Sequence, residues 1–456
     1  MNSEAKNSSS SVIFATAVTA IGGFLFGYDT AVINGANSLL QSHFALDPDH
    51  DSFLIGLATA SAILGCIPGA MFAGFISDRF GRRRMLFFCA ALFALAGVLS
   101  ALPQTFGQFI AARILSGVAI GVSSMICPIY IAEIAPPQWR GRLGSLFQLG
   151  IVTGIFVTLF INGWIQRPAD PAWNTAYGWR WMLGSESAPA ILFLLLLFPI
   201  PESPRWLIQA NRETEARAIL RRIGGGDYVE AEIAAVKGVL QWEESSLGEL
   251  FSRRYRLPLV MALVLMFGSQ LSGINAIMYY STEIFKSATG DAAAAFHSSV
   301  WIGLVNLAAT FIAIGLVDRV GRKPLLLIGN LIQVAALALV GFIYSRNPQS
   351  PALLAFVILY IAAFAMAMGP LPWIVCSEIF PAKLRGRAMS VATFCIWTGC
   401  LFVAQTFPTL LKVIGPAKTF WAYATCSGAT FILVLWLLPE TKGRTLEEIE
   451  TRFARL

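Results

Sequence analysis

Residues 74–84 read GFISDRFGRRR, and residues 315–324 read GLVDRVGRKP. Each stretch separates two apolar runs, and each is followed by a second charged loop, AEIAPPQWRGR at 132–142 and SEIFPAKLRGR at 377–387. Asp318 follows Asp78 by 240 residues, and Glu378 follows Glu133 by 245. Order and spacing both repeat, which marks an internal duplication. In a chain this apolar, the duplication implies two bundles related by a pseudo-two-fold axis along a membrane normal.

Composition places those bundles in lipid. The 456 residues are 56% hydrophobic and 13% charged, about half the roughly 25% charge of an ordinary soluble domain. So little charge cannot cover a water-facing surface. Crossing a hydrocarbon core of about 30 Å takes roughly 20 apolar residues. Such runs are expected near 11–35, 53–76, 85–102, 106–132, 143–165, 180–199, 257–285, 296–317, 324–345, 351–377, 387–411 and 418–438. Lipid offers the backbone no hydrogen-bond partner, so only helices or closed barrels cross it, and these runs lack the alternation of barrel strands. The expected fold is an all-α polytopic membrane protein of twelve transmembrane helices. Residues 1–200 form an N-terminal six-helix bundle, 201–256 a small cytoplasmic helical layer, and 257–456 a C-terminal six-helix bundle with a tail. The layer is expected to be helical because RETEARAILRRI and EAEIAAVKGVL have helical spacing.

The net charge of +7 would raise nucleic-acid binding in a soluble protein; here topology accounts for it. With the N-terminus inside, only Arg167, Arg180, Lys286, Arg346, Lys412 and Lys418 fall in outer loops and Arg113 falls within a span. The other 26 of the 33 basic residues lie on the inner side. That asymmetry predicts cytoplasmic termini in a plasma (cell inner) membrane. Both termini inside also agrees with an even number of spans. All seven cysteines fall in spans, as packing residues and not as a disulfide framework. The three histidines lie in or beside outer loops, and no HExxH motif, ligand cluster or Walker loop is present. Neither an enzyme nor a metal or other cofactor is expected.

Further motifs mark both halves: PESPRWL at 201–207, PETKGRT at 439–445, GGFLFGYDTAVING at 22–35, QLSGINAIMYYSTEIF at 270–285 and GPLPW at 369–373. With these in order along nearly its whole length, the chain resembles the major facilitator superfamily and, within it, the sugar porters. The loop charges Asp78, Arg82, Arg83, Glu133, Arg140 and Arg142 have counterparts in Asp318, Arg322, Glu378, Arg385 and Arg387. Positive-inside topology explains the arginines but not acidic residues at matching places. Opposite charges at helix ends of two bundles can pair across a closed inner face and part when it opens, and the resemblance implies the same gate.

Few ionisable residues lie deep in spans, where each costs roughly 2.5 to 3.5 kcal/mol on insertion scales. Asp29, Arg113 and Glu186 are expected at one level of the N-terminal bundle, each 6 or 7 positions from the outer end of its span. Their expected role is proton coupling, because the proton affinity of Asp29 depends on how close Arg113 stands in each conformer. The resemblance implies the same: an Asp in the GYDTAV motif accompanies proton symport.

A sugar presents hydroxyls that donate and accept, so its site calls for amides and aromatic faces. Asn275 and Tyr279 share a helical face, whereas Gln270 is about 140° away on an ideal helix of 3.6 residues per turn. Gln270 and Asn275 meet only if the helix breaks, and Gly273 is the expected hinge. Pro370 and Pro372 must interrupt the tenth span, and Trp373 then offers a face to a pyranose ring. The resemblance adds Gln148, Asn306 and Trp397. Ser269 and Ile396 stand where relatives place amides, which lowers the hydrogen-bonding capacity of the site.

The expected function is secondary active transport of a monosaccharide (hexose or pentose, such as glucose, galactose or xylose) by proton symport, with the proton as the transported coupling ion. The expected partners are sugar, protons and the lipid bilayer but no nucleic acid, and the functional unit is a monomer. A facilitative uniporter is the alternative on the same fold, and a non-transporting sugar receptor is the alternative from another class.

Overall fold

Backbone groups in hydrocarbon must bond within their own segment, and this chain does so with helix almost throughout. The computed structural model describes residues 3–136, 139–167, 169–224, 226–240, 247–290, 292–444, 448–449 and 453, and no strand occurs among them. Spans one to five are α1 (Ser3–His43), α2 (Ser52–Phe80), α3 (Arg82–Ala101), α4 (Phe106–Ile134) and α5 (Arg140–Ile165). A short α6 (Pro171–Trp173) and a π turn (Asn174–Gly178) lead into span six, built from α7 (Trp179–Gly184) and α8 (Ser187–Leu196). The linker layer holds α9 (Pro204–Gln209), α10 (Glu213–Gly224), α11 (Gly226–Leu240) and α12 (Leu247–Leu250). Span seven is α13 (Arg256–Leu271) with α14 (Ile274–Thr289), followed by α15 (Ala292–Val320) and α16 (Arg322–Arg346). Span ten is α17 (Ala352–Met366) with α18 (Leu371–Glu378), and α19 (Ala382–Leu437) carries the last two spans.

Ten helical stretches among the described residues are long and apolar enough to cross a membrane. One of them, α19, is two spans joined at Gly415 (φ 79°, ψ 164°), and span six is broken into pieces too short to qualify. Twelve crossings result. The expected loop at 412–417 is a kink, and α1 continues to His43 instead of stopping near 35. No proline or glycine interrupts residues 36–43, and Leu40 is buried, so nothing ends the helix there.

Between helices in lipid, close packing does the work that hydrophobicity does in water, and small residues permit it. A Cβ on Gly117 of α4 would lie 1.7 Å from the Ala62 carbonyl oxygen of α2, and one on Gly154 of α5 would lie 2.0 Å from Phe24 O of α1. Burial is divided into blocks. On the side of the chain termini each half has its own apolar cluster, one around Leu86, Phe93 and Ile131 and the other around Leu326, Val375 and Phe380. On the far side a single cluster includes Val32 and Trp179 of one half with Ile277, Tyr360 and Phe407 of the other. A fourth cluster, around Trp206, Leu220 and Ile233, packs the linker layer.

Hydrogen bonds between the halves follow the same division. Asn34 Nδ2 donates to Met278 O (2.7 Å) and to Ser281 Oγ, and Asn37 Nδ2 donates to Tyr279 O (3.0 Å). Gln41 Nε2 donates to Glu283 Oε1 (2.8 Å), and Gln405 Nε2 donates to Phe53 O (2.9 Å). Among the described residues the hydrogen bonds that join the halves lie on the far side.

Gly117→Val would force α2 and α4 apart and is expected to cost at least about 2 kcal/mol. Gly74→Ala, where a Cβ meets nothing within 4 Å, should be neutral or stabilise by up to about 1 kcal/mol. Thermal unfolding of the two detergent-solubilised variants checks the contrast.

Candidate functional site

The close approach of α1 to α5 at Gly27, where a Cβ would lie 1.9 Å from Ile151 O, seats the YDT turn of α1 deep in the N-terminal half. Asp29 is 0% exposed and Arg113 of α4 is 2% exposed. Arg113 Nη1 donates to Asp29 Oδ1, forming a fully buried ion pair. The second carboxylate oxygen of Asp29 and Arg113 Nε have no hydrogen-bond partner. Glu186, 2% exposed, sits at the break between α7 and α8 within electrostatic range of both, and its Oε1 is also unpartnered. Tyr28 OH and Ser185 Oγ bond at 2.7 Å, which ties α1 to that break. The structure therefore gathers all three ionisable residues. The helix length beyond Asp29 is greater than expected, because α1 runs fourteen residues past it, about 21 Å at 1.5 Å per residue, whereas Arg113 stands seven residues from the start of α4, as expected.

Two carboxylates and one guanidinium make a buried group that is neutral when it holds one proton. Buried net charge is costly, so this arrangement is suited to taking up and releasing a proton.

The second part of the site is the break in span seven. Gly273 adopts the left-handed conformation (φ 83°) between α13 and α14, which glycine enters without the Cβ clash. A Cβ there would also meet the Tyr423 ring at 2.5 Å. Across the break Asn275 Nδ2 donates to Gln270 Oε1, and Gln270 Nε2 donates to Ser269 Oγ (3.0 Å). The two amides meet through the hinge expected from their spacing. Tyr279 is buried, with its hydroxyl 3.6 Å from Cys400 Sγ. Trp397 packs against Phe26 of the other half at 5.7 Å between ring centroids. A small cavity of about 10 Å³, lined by Arg113 and Cys66 on one side and Tyr279 and Trp397 on the other, offers room for about one water molecule. It connects the ion pair to the broken helix.

Gln148, Asn306 and Trp373 are half-buried. Trp373 packs on the apolar cluster of its own half, and no side-chain hydrogen bond links Gln148 or Asn306 to the Gln270–Asn275 pair among the described residues.

Among the described residues the ion pairs of the loop charges lie within each half. Arg82 Nε and Nη2 grip Glu133 (3.0 and 3.1 Å), and its Nη1 lies 2.9 Å from Asp78. Arg322 Nη2 reaches Glu378 at 2.8 Å. The reason is local: α3 starts beside the end of α4, so the nearest carboxylate belongs to the same bundle. Arg83 donates to Phe198 O (2.7 Å). Arg142 and Arg385 are exposed and Arg387 is half-buried. The side chains of Arg140 and Asp318 lie outside the described residues.

Two sets of residues escaped the sequence reading. Glu202 accepts the backbone N–H of both Arg82 and Arg83 at 3.0 Å, and Glu440 accepts those of Arg322 (3.1 Å) and Lys323 (3.0 Å). Each caps a helix start and meets the positive end of its dipole. Ser203 and Thr441 donate to Glu133 and Glu378, which completes the same cluster in both halves. Gly81 (φ 97°) and Gly321 (φ 104°) turn the chain so that these caps fit. The signal was the matching PES and PET, already conspicuous as motifs. In the far-side seam, Asn37 and Gln41 were missed because span one was ended near 35, and Asn34, inside that span, carried no signal beyond its polarity.

Comparison with known proteins follows the same lines. The family model described as Sugar (and other) transporter matches residues 15–453. The chain is 40% identical to the arabinose-proton symporter of Bacillus subtilis over 96% of this chain and 94% of that one. It is 38% identical to the D-xylose-proton symporter of Escherichia coli over 97% and 96%. Among solved structures, the inward open conformation of the xylose transporter XylE from E. coli superposes with a TM-score of 0.86 at 35% identity, covering 97% of this chain and 99% of that one. The form bound to 6-bromo-6-deoxy-D-glucose gives 0.82, covering 98% and 100%.

Arg113→Met should strand the Asp29 charge and cost about 3 to 5 kcal/mol. Adding Asp29→Asn in the same chain should restore most of that loss, as read from melting of the purified single and double variants.

Proposed function

Since the chain belongs to the Sugar (and other) transporter family, we propose that it is a proton-coupled symporter of a monosaccharide, a pentose or hexose of the kind for which its relatives are named. It is a multi-pass membrane transporter, not an enzyme. The observation that carries the coupling is the buried Asp29–Arg113 pair with Glu186 beside it, separated by one small cavity from Tyr279 and Trp397 of the other half.

Asp29 takes the proton, Arg113 competes with that proton for the carboxylate, and Glu186 tunes the balance. Protonating Asp29 loosens its hold on Arg113 and releases α1 from α4, so the two halves can rock. Gln270, Asn275 and Tyr279 with Gln148, Asn306, Trp373 and Trp397 receive the sugar, held mainly by the C-terminal half. The far-side seal fits a state open toward the termini. The excess of basic residues in the loops on that side supports a cytoplasmic position for them, with the plasma membrane as the membrane crossed. Asp78, Arg82, Arg83, Glu133, Arg140 and Arg142, with Asp318, Arg322, Glu378, Arg385 and Arg387, act as the gate on that side. Each cluster keeps its own half rigid while the clusters approach and part. Within the clusters the Arg82–Glu133 pair is buried and the Arg322–Glu378 pair partly exposed, so each cluster stays together while the gate between them reopens. The monomer suffices, and no cofactor beyond the transported proton is invoked.

Asp29→Asn in proteoliposomes tests the coupling. Accumulation of sugar driven by a pH gradient should be lost while sugar counterflow persists; accumulation at the wild-type level would refute the role of Asp29. A panel of labelled pentoses and hexoses in the same counterflow assay identifies the substrate.

A further inference from the structure

Helix α16 holds two amides for which the described structure supplies no partner. Asn330 and Gln333 are 1% and 0% exposed, and none of their four side-chain nitrogen and oxygen atoms is hydrogen-bonded. Buried amides in membrane spans ordinarily tie helices together, but here each amide is left unused. At i and i+3 the two share a face of the helix. On their far side, Ala336, Leu337 and Val340 pack with Tyr360 and Tyr423 in the cluster common to both halves. Toward the termini, Leu325 and Leu326 pack with Ala367, Met368 and Leu371 in the separate cluster of the C-terminal half. The amides mark the seam between two apolar blocks.

The break in span ten lies at the same seam. A Cβ on Gly329, the residue before Asn330, would stand 2.2 Å from Ala367 Cβ and 3.2 Å from Ala363 O, so the helices touch there. Ala367 leaves helical geometry (φ −125°, ψ −76°). Tyr360 and Ile361 before the break belong to one block, while Leu371 and Val375 after it belong to the other. Pro370 and Pro372 have no N–H, so the carbonyls of Met366 and Met368, four residues earlier in each case, lose the donors that a continuous helix would supply. The Gly369 N–H turns back to Phe364 O (2.9 Å), an acceptor that Ala367 N also uses (3.1 Å). Two unused amide donors thus adjoin a break that leaves two carbonyls short of donors.

Resting on the reading of the chain as an alternating-access symporter, we propose that Asn330 and Gln333 are positioning residues for this break. When α18 moves to close the termini side, their Nδ2 and Nε2 groups bond to the carbonyls of Met366 and Met368 and favour the closed state. Trp373 travels with α18, so the pair governs turnover without touching sugar. A bond made in one state alone shifts the equilibrium by its full worth, whereas one made in both shifts nothing.

The test uses the full chain with Gly144→Cys and Ser390→Cys, two exposed positions on the termini side of opposite halves, carrying spin labels. The wild type should show a long and a short distance population, the short one being the closed state. Replacing both amides (Asn330→Leu with Gln333→Leu) should deplete the short population by about fivefold or more. It should also lower kcat for uptake by a similar factor with KM within about twofold. Asn330→Gln, which keeps a donor, should retain the wild-type distribution. If the double variant does not fold, Gln333→Met alone carries the test, with the same depletion expected at smaller size. An unchanged distribution and turnover in a folded leucine or methionine variant would overturn the proposal. The distance readout needs no transport, so a wild type that shifts between populations yet fails to accumulate sugar would refute the symport reading and leave this one standing.

Discussion

Hydrocarbon offers no hydrogen-bond partner, and the rest of this structure follows from that constraint. It makes every crossing a helix and gives every interruption of a helix a cost that protein must meet from inside. The interruptions are few and placed where the bundle can support them: Ser185–Glu186 in span six, Ser272–Gly273 in span seven and Ala367–Pro370 in span ten. At the first stand Glu186 and the Tyr28–Ser185 hydrogen bond. At the second, Gln270 and Asn275 reach one another only because the helix turns there. The third carries Trp373 on its termini side. Breaks and buried polar groups coincide because each makes the other tolerable.

The same constraint separates two kinds of charge. Asp29 and Arg113 are far from water and meet in a single ion pair, so a change at either is felt in full at the other. The clusters of Asp78, Arg82, Glu133 and Glu202, and of Arg322, Glu378 and Glu440, lie at the helix ends on the termini side, where Arg82 and Glu133 are buried and Arg322 and Glu378 are partly exposed, and they gain their order from geometry. Backbone amides at a helix start, a carboxylate to cap them and an arginine folded against a neighbouring helix recur in both halves. These clusters stiffen the ends of each bundle, which lets a bundle move as one body.

Much of the site was legible in the sequence because the relevant residues are exceptions to their surroundings. A carboxylate or guanidinium within an apolar run stands out, as Asp29, Arg113 and Glu186 did. The angular offset of Gln270 from Asn275 required a break, and Gly273 was the residue able to make it. Residues whose surroundings are mixed were harder to read. Asn34, Asn37 and Gln41 look like the polar fringe at the end of a span, yet they are the inner face of a longer helix and close the far side. Arg82 and Glu133 are plainly a charged pair of some kind, but their spacing is equally compatible with a partner in either bundle.

The sequence by itself determined the solvent, the number of crossings, the duplication and the few residues that lipid could not tolerate without a purpose. These depend on composition and on periodicities shorter than a helix turn or longer than a bundle, which one dimension preserves. Only the tertiary structure decided that Arg82 takes Glu133 and Arg322 takes Glu378, that hydrogen bonds seal the halves on the far side, and that Asn330 and Gln333 are left without partners beside a broken helix. Those facts depend on distances between segments remote in the chain. Such distances are set by how glycine-lined helices pack against one another, and no local pattern records them.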